Sequence, residues 1–389
     1  MTAKRALLAL VLLVGLPYAC SPVYRFPDPA PFSGAYFYNP YAGLQGQWKR
    51  ANLHAHGVAW GGLTNGEQPS REVVHRYKQL GYDVAGVSNY HSIAAQHGVQ
   101  TLPLYEHGYN IFKRHQLGIG ARRVQWFDFP LWQWASQQQF IIDRVAVGSA
   151  LVGLTHPSAR GAYVDDDLRR LSGYHFVEIV NGPFEAAEPW DTALSSGHAV
   201  WAMANDDSHD TDDPKRLGMA WNMIDAASTS AADIVNGLRA GRAYAVGRKD
   251  NVPAGMDTSI ADVRFENGTL HVTTAGAIPD IEFIGQGGRS RLTAERVQSA
   301  SYTFGPEDTY VRAVVHTPQT TMYLNPVLRY DGRTLPAPIV RIDGTQTWML
   351  RTAIMSTLLA TAALLWPRRK VVARAAMSPA LPETDRETA

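Results

Sequence analysis

A chain of 389 residues that is 45% hydrophobic and 18% charged carries enough apolar side chain to bury a full core, which excludes a disordered or low-complexity protein. Its formal net charge of +1 excludes a general attraction to nucleic acid, so no stable nucleic-acid binding is expected. The single cysteine, Cys20, excludes internal disulfides and any cysteine-rich zinc module; a metal here would rest on histidines and carboxylates.

Residues 1–20 read as a signal, lipoprotein-like or anchor segment, with Lys4 and Arg5 before the apolar run 6–16 and Pro17-Tyr18-Ala19-Cys20 after it. Cys20 stands where a lipoprotein carries its lipid, although Pro17 and the spacing of Leu16 depart from that pattern. Residues 21–46 are rich in proline and glycine and read as a linker. From Trp48 strands alternate with helices. Residues 47–53 form a first strand, residues 69–80 a helix that stops at Gly81, and residues 82–87 a second strand. Residues 108–117 read as helix-like and 124–127 as a strand. Short buried strands follow at 150–155, 176–180, 200–204 and 219–224, and a helix at 229–240 closes the series. Repeated strand and helix units favour a parallel sheet with helices outside, and about seven of them over residues 47–250 predict an α/β fold closed into a barrel.

Beyond Asn251 short strands separated by Gly, Asn and Pro turns predict a small antiparallel, sandwich-like β domain over 251–346. Residues 348–366 form a hydrophobic helix long enough to span a membrane if Arg351 reaches the interface, and 367–389 form a tail. Lys4/Arg5 and Arg368 to Lys370 would both face the cytoplasm, leaving the domain between them exported, on the periplasmic or outer face.

The stretch that organises the chain is Asn52-Leu53-His54-Ala55-His56, because strand alternation aims both imidazoles at one spot. All of the 13 histidines except His271 and His316 fall between His54 and His209. Active sites of α/β barrels sit at the carboxyl ends of the strands. His54 and His56 end the first strand, Asn89 and His91 follow the second, His156 follows 150–155, Glu178 lies within 176–180, and Asp207 and His209 follow 200–204.

Read together, NLHAH, VSNYH, Glu106 with His115 nine residues on, LTHP at 154–157, VEIVNG and NDDSH at 205–209 resemble the PHP (polymerase and histidinol phosphatase) superfamily over roughly residues 48–247. The resemblance implies a distorted (β/α)7 barrel holding two or three divalent ions, zinc, manganese or iron, that hydrolyse a phosphate ester. It implies His54 and His56 as the first ligand pair, Glu106 as the carboxylate shared between ions, and His115 and His156 on the second ion. Asp207 would return to the first ion, His209 would serve a third, and His91 matches the histidine of the second motif. It implies catalytic roles for Glu106, Asp207 and His209. Two departures remove negative charge from the third-ion side: Asn89-Tyr90-His91 lacks the usual Asp before His, and Asn65-Gly66 replaces an Asp-Gly.

Glu178 and Asn181 are expected to orient ligands or merely to finish a strand, Asp206 to cap or support, and Arg160, Lys215 and Arg216 to be ordinary surface cations more often than groups that meet a phosphate. His75, His97, His107, His175 and His198 are ordinary residues. The expected function is an exported, membrane-tethered phosphoesterase acting on a phosphorylated small molecule or nucleotide-like substrate. A PHP-fold binding protein without turnover, or a metal hydrolase of a different bond, also fits the sequence. A reporter fused after Ala389 is expected to behave as cytoplasmic; an exported signal there would contradict the C-terminal span.

Overall fold

The computed structural model describes residues 3–249 and 258–365, so the expected cytoplasmic tail with Arg368 to Lys370 lies outside the described residues. Helix α1 (Ala3–Cys20) leads through β1 (Tyr24–Arg25) and β2 (Tyr36–Tyr38) to β3 (Trp48–Asn52), α2 (Ser70–Gln79), β4 (Val84–Ala85), β5 (Leu104–His107) and β6 (Gln116–Ile119). Next come α3 (Ala135–Gly148), β7 (Leu151–Leu154), α4 (Asp165–Arg170), β8 (Phe176–Asn181), β9 (Phe184–Glu185), α5 (Glu188–Ser195), β10 (Trp201–Asn205), β11 (Ala220–Asp225), α6 (Ala231–Arg239) and β12 (Ala243–Arg248). The C-terminal part runs β13 (Thr258–Glu266), β14 (Thr269–Gly276), β15 (Asp280–Gly285), β16 (Arg289–Ala294), β17 (Ser299–Thr303), β18 (Tyr310–His316), β19 (Thr320–Leu324), β20 (Val327–Tyr330), β21 (Arg341–Ile342) and α7 (Gly344–Leu365).

The expected parallel sheet is mixed. One sheet has the order β10-β8-β7-β6-β5, parallel from β10 to β7 but antiparallel across β7-β6-β5. The region 108–117, expected as helix, is a loop running into β6. Gly108 has φ +135°, and the Asn110 side chain accepts the Phe112 N–H, so the backbone turns instead of coiling. Val124 to Phe127 is likewise a loop, tied by the Gln125 N–H to the Tyr105 hydroxyl.

The second sheet runs β16-β15-β18-β19-β12-β11-β3-β4, with β20 and β2 on a branch from β18. Hydrogen-bonded pairing is therefore continuous between the region before residue 250 and the C-terminal strands. There β16 is a strand that turn-based reading missed, and Asn325-Pro326 splits the expected strand 322–328 into β19 and β20. Strands β13, β14 and β17 form a separate three-stranded sheet. Among the described residues, ladders leave the two large sheets open. Two single parallel bridges join them, Tyr90 to Glu106 and Ala55 to Ser208.

Local chemistry explains the elements that frame the site. On α2, Val73, Val74 and Tyr77 are buried on one face. On α6 the Ser230 side chain accepts the Asp233 N–H at 3.2 Å, and the helix ends at Gly241 with φ +72°. Strand β8 is apolar at four of six positions and almost wholly buried, as a strand covered on both faces must be.

Helices α1 and α7 are each long and apolar enough to cross a membrane. They pack side by side, with Leu358 against Gly15 and the Arg351 guanidinium donating to the Cys20 carbonyl at 2.8 Å. At their root β1 pairs with β21.

The C-terminal strands are tied to the helices by a buried ion pair. Arg312 of β18 donates to Asp191 of α5 at 2.8 and 2.7 Å and lies over the Trp190 ring. Removing one partner leaves a buried uncompensated charge, which costs about 3–5 kcal/mol. Asp191→Ala is accordingly predicted to lower the free energy of unfolding by about 3–5 kcal/mol in urea titrations, and an unchanged midpoint would contradict the burial of this pair.

Candidate metal centre

The end of β3 and the end of β10 meet through side-chain amides. Asn205 Oδ1 accepts the Leu53 N–H at 2.7 Å, Asn52 Oδ1 accepts the Asp206 N–H at 2.9 Å, and the Asn222 amide bonds both the N–H and the carbonyl of Ala204. These amides stand in for ladder bonds. They hold His54 and His56 beside Asp207, where the Asp207 N–H donates to the His54 carbonyl and the His56 N–H to the Ser208 carbonyl.

Glu106 lies within β5, fully buried. Because β6 runs antiparallel to β5, His115 just ahead of β6 arrives on the same rim as the residues that follow β3, β7 and β10. Its ring packs against Gly108, where a Cβ would stand 2.5 Å from His115 Cδ2, so a glycine is required at that position.

The structure brings seven of the eight expected ligands together: His54, His56, Glu106, His115, His156, Asp207 and His209. They form four overlapping triads whose ligand atoms lie within 4.8 Å of one another: His54, His56 and Glu106; His54, His156 and Asp207; His56, Asp207 and His209; Glu106, His115 and His156. Glu106 Oε1 faces His115 Nδ1 at 2.8 Å, His156 Nε2 at 3.1 Å and His54 Nε2 at 3.4 Å, while Oε2 faces His56 Nε2 at 3.1 Å. Asp207 Oδ1 faces His54 Nε2 and His56 Nε2, each at 3.2 Å.

His91 is not among them. Its Nδ1–H donates to the Gln125 carbonyl at 2.9 Å, and its Nε2 accepts the Gly108 N–H at 3.2 Å, which uses both ring nitrogens. Burial depresses its pKa to about 4, so the ring stays neutral, stacked on Trp126. The expectation of a ligand at His91 is therefore corrected: it braces the rim. Asn89 is also structural, accepting the Gly57 N–H and donating to Ser70. Tyr90 between them was missed, and its ring stacks on His56 at 4.5 Å.

The surroundings orient the ligands. Glu178 Oε1 accepts His54 Nδ1–H at 3.0 Å and an Asn205 amide hydrogen at 2.8 Å; its Oε2 accepts the His156 N–H and an Asn181 amide hydrogen. Asn181 also donates to Asp207 Oδ2 at 3.2 Å. Asp206 points away from the cluster. It accepts the N–H groups of Gly218, Met219 and Ala220 and the Tyr77 hydroxyl, and burial pushes its pKa up to about 6. Three residues of this rim, His91, His156 and Asp207, hold positive φ without being glycine, strain that the packed surroundings must maintain.

With its Nδ1–H committed to Glu178, His54 turns Nε2 toward oxygens of Glu106 and Asp207. Lone pair against carboxylate in a dry site is repulsive unless a proton or a cation stands between them. Ligand atoms around one ion at about 2.0–2.2 Å sit roughly 3 Å apart, close to the spacing found here. Both ring nitrogens of His56, together with Glu106 Oε2, His156 Nδ1, Asp207 Oδ1 and His209 Nδ1, are buried without a well-formed hydrogen bond. The donor set and these orphaned atoms fit divalent ions.

Around the cluster, a cavity of about 250 Å³ is lined by His156, Glu178, Asn181 and Phe184, and one of about 540 Å³ by His115, Tyr90, Trp60 and Trp126. Arg160 is exposed and follows Ala159, which lines the first of these, but does not line it itself. Lys215 and Arg216 line a larger cavity of about 1040 Å³ to which no clustered ligand contributes, although Arg216 lies over the Phe184 ring.

No family model and no curated protein matches the chain. A solved structure that it resembles is a two-domain protein containing a predicted PHP-like metal-dependent phosphoesterase from Bacteroides vulgatus ATCC 8482, at 12% identity and a TM-score of 0.39, covering 81% of this chain and 99% of that one. A likeness this remote fixes neither fold nor activity.

Burial on its own would raise Glu106 and Asp207, but the facing histidines outweigh it and hold both carboxyls well below the usual range. In the same way burial of His54, His56 and His156 is outweighed by Asp207, Glu178 and Glu106, which raise these imidazoles above their ordinary value. Without metal they therefore hold their protons to higher pH than free histidine does, and an incoming ion must compete with those protons. Manganese affinity measured by calorimetry is predicted to rise between pH 6 and pH 8, with proton release that scales with buffer ionisation enthalpy; an affinity independent of pH would contradict the arrangement.

Proposed function

We propose that this chain is an exported, membrane-tethered, metal-dependent phosphoesterase of PHP type. Its strands β3, β4, β5, β6, β7, β8 and β10 would form a distorted (β/α)7 barrel around the site. The two bridges at Tyr90–Glu106 and Ala55–Ser208 support that closure. The apolar pair α1 and α7, packed together at one root, supports tethering of the retained chain.

The observation that carries the reading is His54 Nε2 facing two buried carboxylates, Glu106 and Asp207, while its Nδ1 is taken up by Glu178. Bound divalent ions would supply an acidified water and neutralise charge on the phosphoryl group. The chain's own residues do the holding. His54, His56, Asp207, Glu106, His115 and His156 would hold the ions, and His209, partly exposed beside Asp207, would serve a further ion or meet the substrate phosphate. Glu178 fixes the tautomer and direction of His54, and Asn181 steadies Asp207.

Hydrolysis of an aryl phosphate by the manganese-loaded full chain tests this reading. His54→Ala and Asp207→Ala are predicted to remove metal-dependent turnover, Glu178→Gln to lower it about 10–100-fold, and His97→Ala, at an exposed residue, to leave it unchanged. Equal effects from all four, or no turnover by the loaded wild type, would overturn it.

A further inference from the structure

The cavity beside His115 has a wall that the metal chemistry does not use. Trp60 and Trp126 meet there edge to face at 5.5 Å, and they are 49% and 58% exposed. Large rings left half in water next to a buried polar site mark a surface that something apolar covers.

This surface continues beyond the cavity. Tyr109 and Ile111, both more than half exposed, belong to a loop strapped onto residues 128–131. The Tyr109 N–H donates to Asp128, the Ile111 N–H to the Pro130 carbonyl, and the Asn110 amide to the Phe129 and Leu131 carbonyls. One residue on, Trp132 is 56% exposed and its N–H donates to the Tyr18 hydroxyl at 2.9 Å. The Tyr18 ring also lies 5.2 Å from Phe129.

Tyr18 is in the last turn of α1, two residues from the Cys20 carbonyl that Arg351 of α7 holds. The aromatic ridge therefore runs from the mouth of the metal site to the root of the two apolar helices. Trp348, exposed at the start of α7, stands at that same root. Tyrosine and tryptophan at the end of a span are the residues that settle in the headgroup layer.

We infer that the ridge of Trp60, Trp126, Tyr109, Ile111 and Trp132 lies on the surface of the anchoring bilayer, and that the site takes phosphate esters carried by membrane amphiphiles. The inference rests on the tethered phosphoesterase reading and names its substrate class. The acyl part stays in the bilayer beneath the ridge, while the headgroup phosphate enters the cavity floored by His115. Lys113, at the rim with its ammonium 6.0 Å from the Tyr90 ring centroid, faces the anionic headgroup. In the hydrolysis, water oxygen bonds to phosphorus and the bond from phosphorus to the oxygen of the acyl-bearing alcohol breaks, so the phosphorus leaves the bilayer with the headgroup. One water proton ends on the released alcohol and the other on the phosphate or solvent.

The test uses the full chain, loaded with manganese, in vesicles of equal parts phosphatidylcholine and phosphatidylglycerol. Water-soluble phosphorus released from the lipid is measured alongside turnover of p-nitrophenyl phosphate in the same sample. Ile111→Ala and Trp132→Ala, neither lining the cavity, are expected to lower the ratio of lipid to aryl phosphate hydrolysis by about tenfold, the effect of removing one large apolar contact. A fluorophore placed by Trp132→Cys in a Cys20→Ser chain is expected to be quenched by brominated lipid. An unchanged ratio, an unquenched fluorophore, or aryl phosphate turnover with no release from lipid would overturn the inference. Absence of both activities would instead remove the phosphoesterase reading, and the inference with it.

Discussion

Negative charge withdrawn from water is the constraint on which the rest of this structure depends. Glu106 and Glu178 are buried, and Asp207 nearly so, within a shell of imidazoles. A buried carboxylate is costly unless paired, and pairing through neutral histidine supplies only one hydrogen per ring. The Nδ1 hydrogen of His54 goes to Glu178, so the charge between its Nε2, Glu106 and Asp207 must be met by a further proton or by a cation. Protons serve there poorly at high pH, whereas divalent ions suit the ligand types present. The asparagine amides of Asn52, Asn205 and Asn222 hold two chain ends in the register that creates this cluster.

Much of the site was legible because its parts follow strands. His54 and His56 share a face through strand alternation, and His156 and Asp207 stand just beyond β7 and β10, where an α/β sheet collects functional groups. His115 was expected as a ligand from the family resemblance and on a helix that does not form; the structure groups it with Glu106 and His156. Hydrophobic periodicity carries no information about strand direction, and it is the antiparallel β6 that delivers His115 to the rim. His91 misled for a related reason. One residue of difference in the spacing of Asn89-Tyr90-His91 turns Tyr90 toward His56 and His91 outward to Gln125 and Gly108. The asparagine amides were invisible because an Asn at a strand end reads as turn chemistry, and only the fold reveals a side chain acting as a missing ladder bond.

The C-terminal strands illustrate a different limit. Their composition announced short strands and turns, yet not that β15, β18 and β19 would extend the sheet containing β3 and β12. Edge strands seek partners, and β12 found one in β19. The effect is to buttress β3, the strand that presents His54 and His56, from its far side through β11 and β12. Buried Arg312 and Asp191 fasten the same region to α5. The C-terminal strands are thus part of the support for the candidate centre rather than an ornament beside it.

The most direct measurement of the central claim is anomalous diffraction, at the manganese or zinc edge, from crystals of the full chain grown with that ion. The account predicts two strong peaks, both within bonding distance of Glu106, one shared with His54, His56 and Asp207 and the other with His115 and His156. A map with no peak between these side chains, or with ions only at the protein surface, would contradict it.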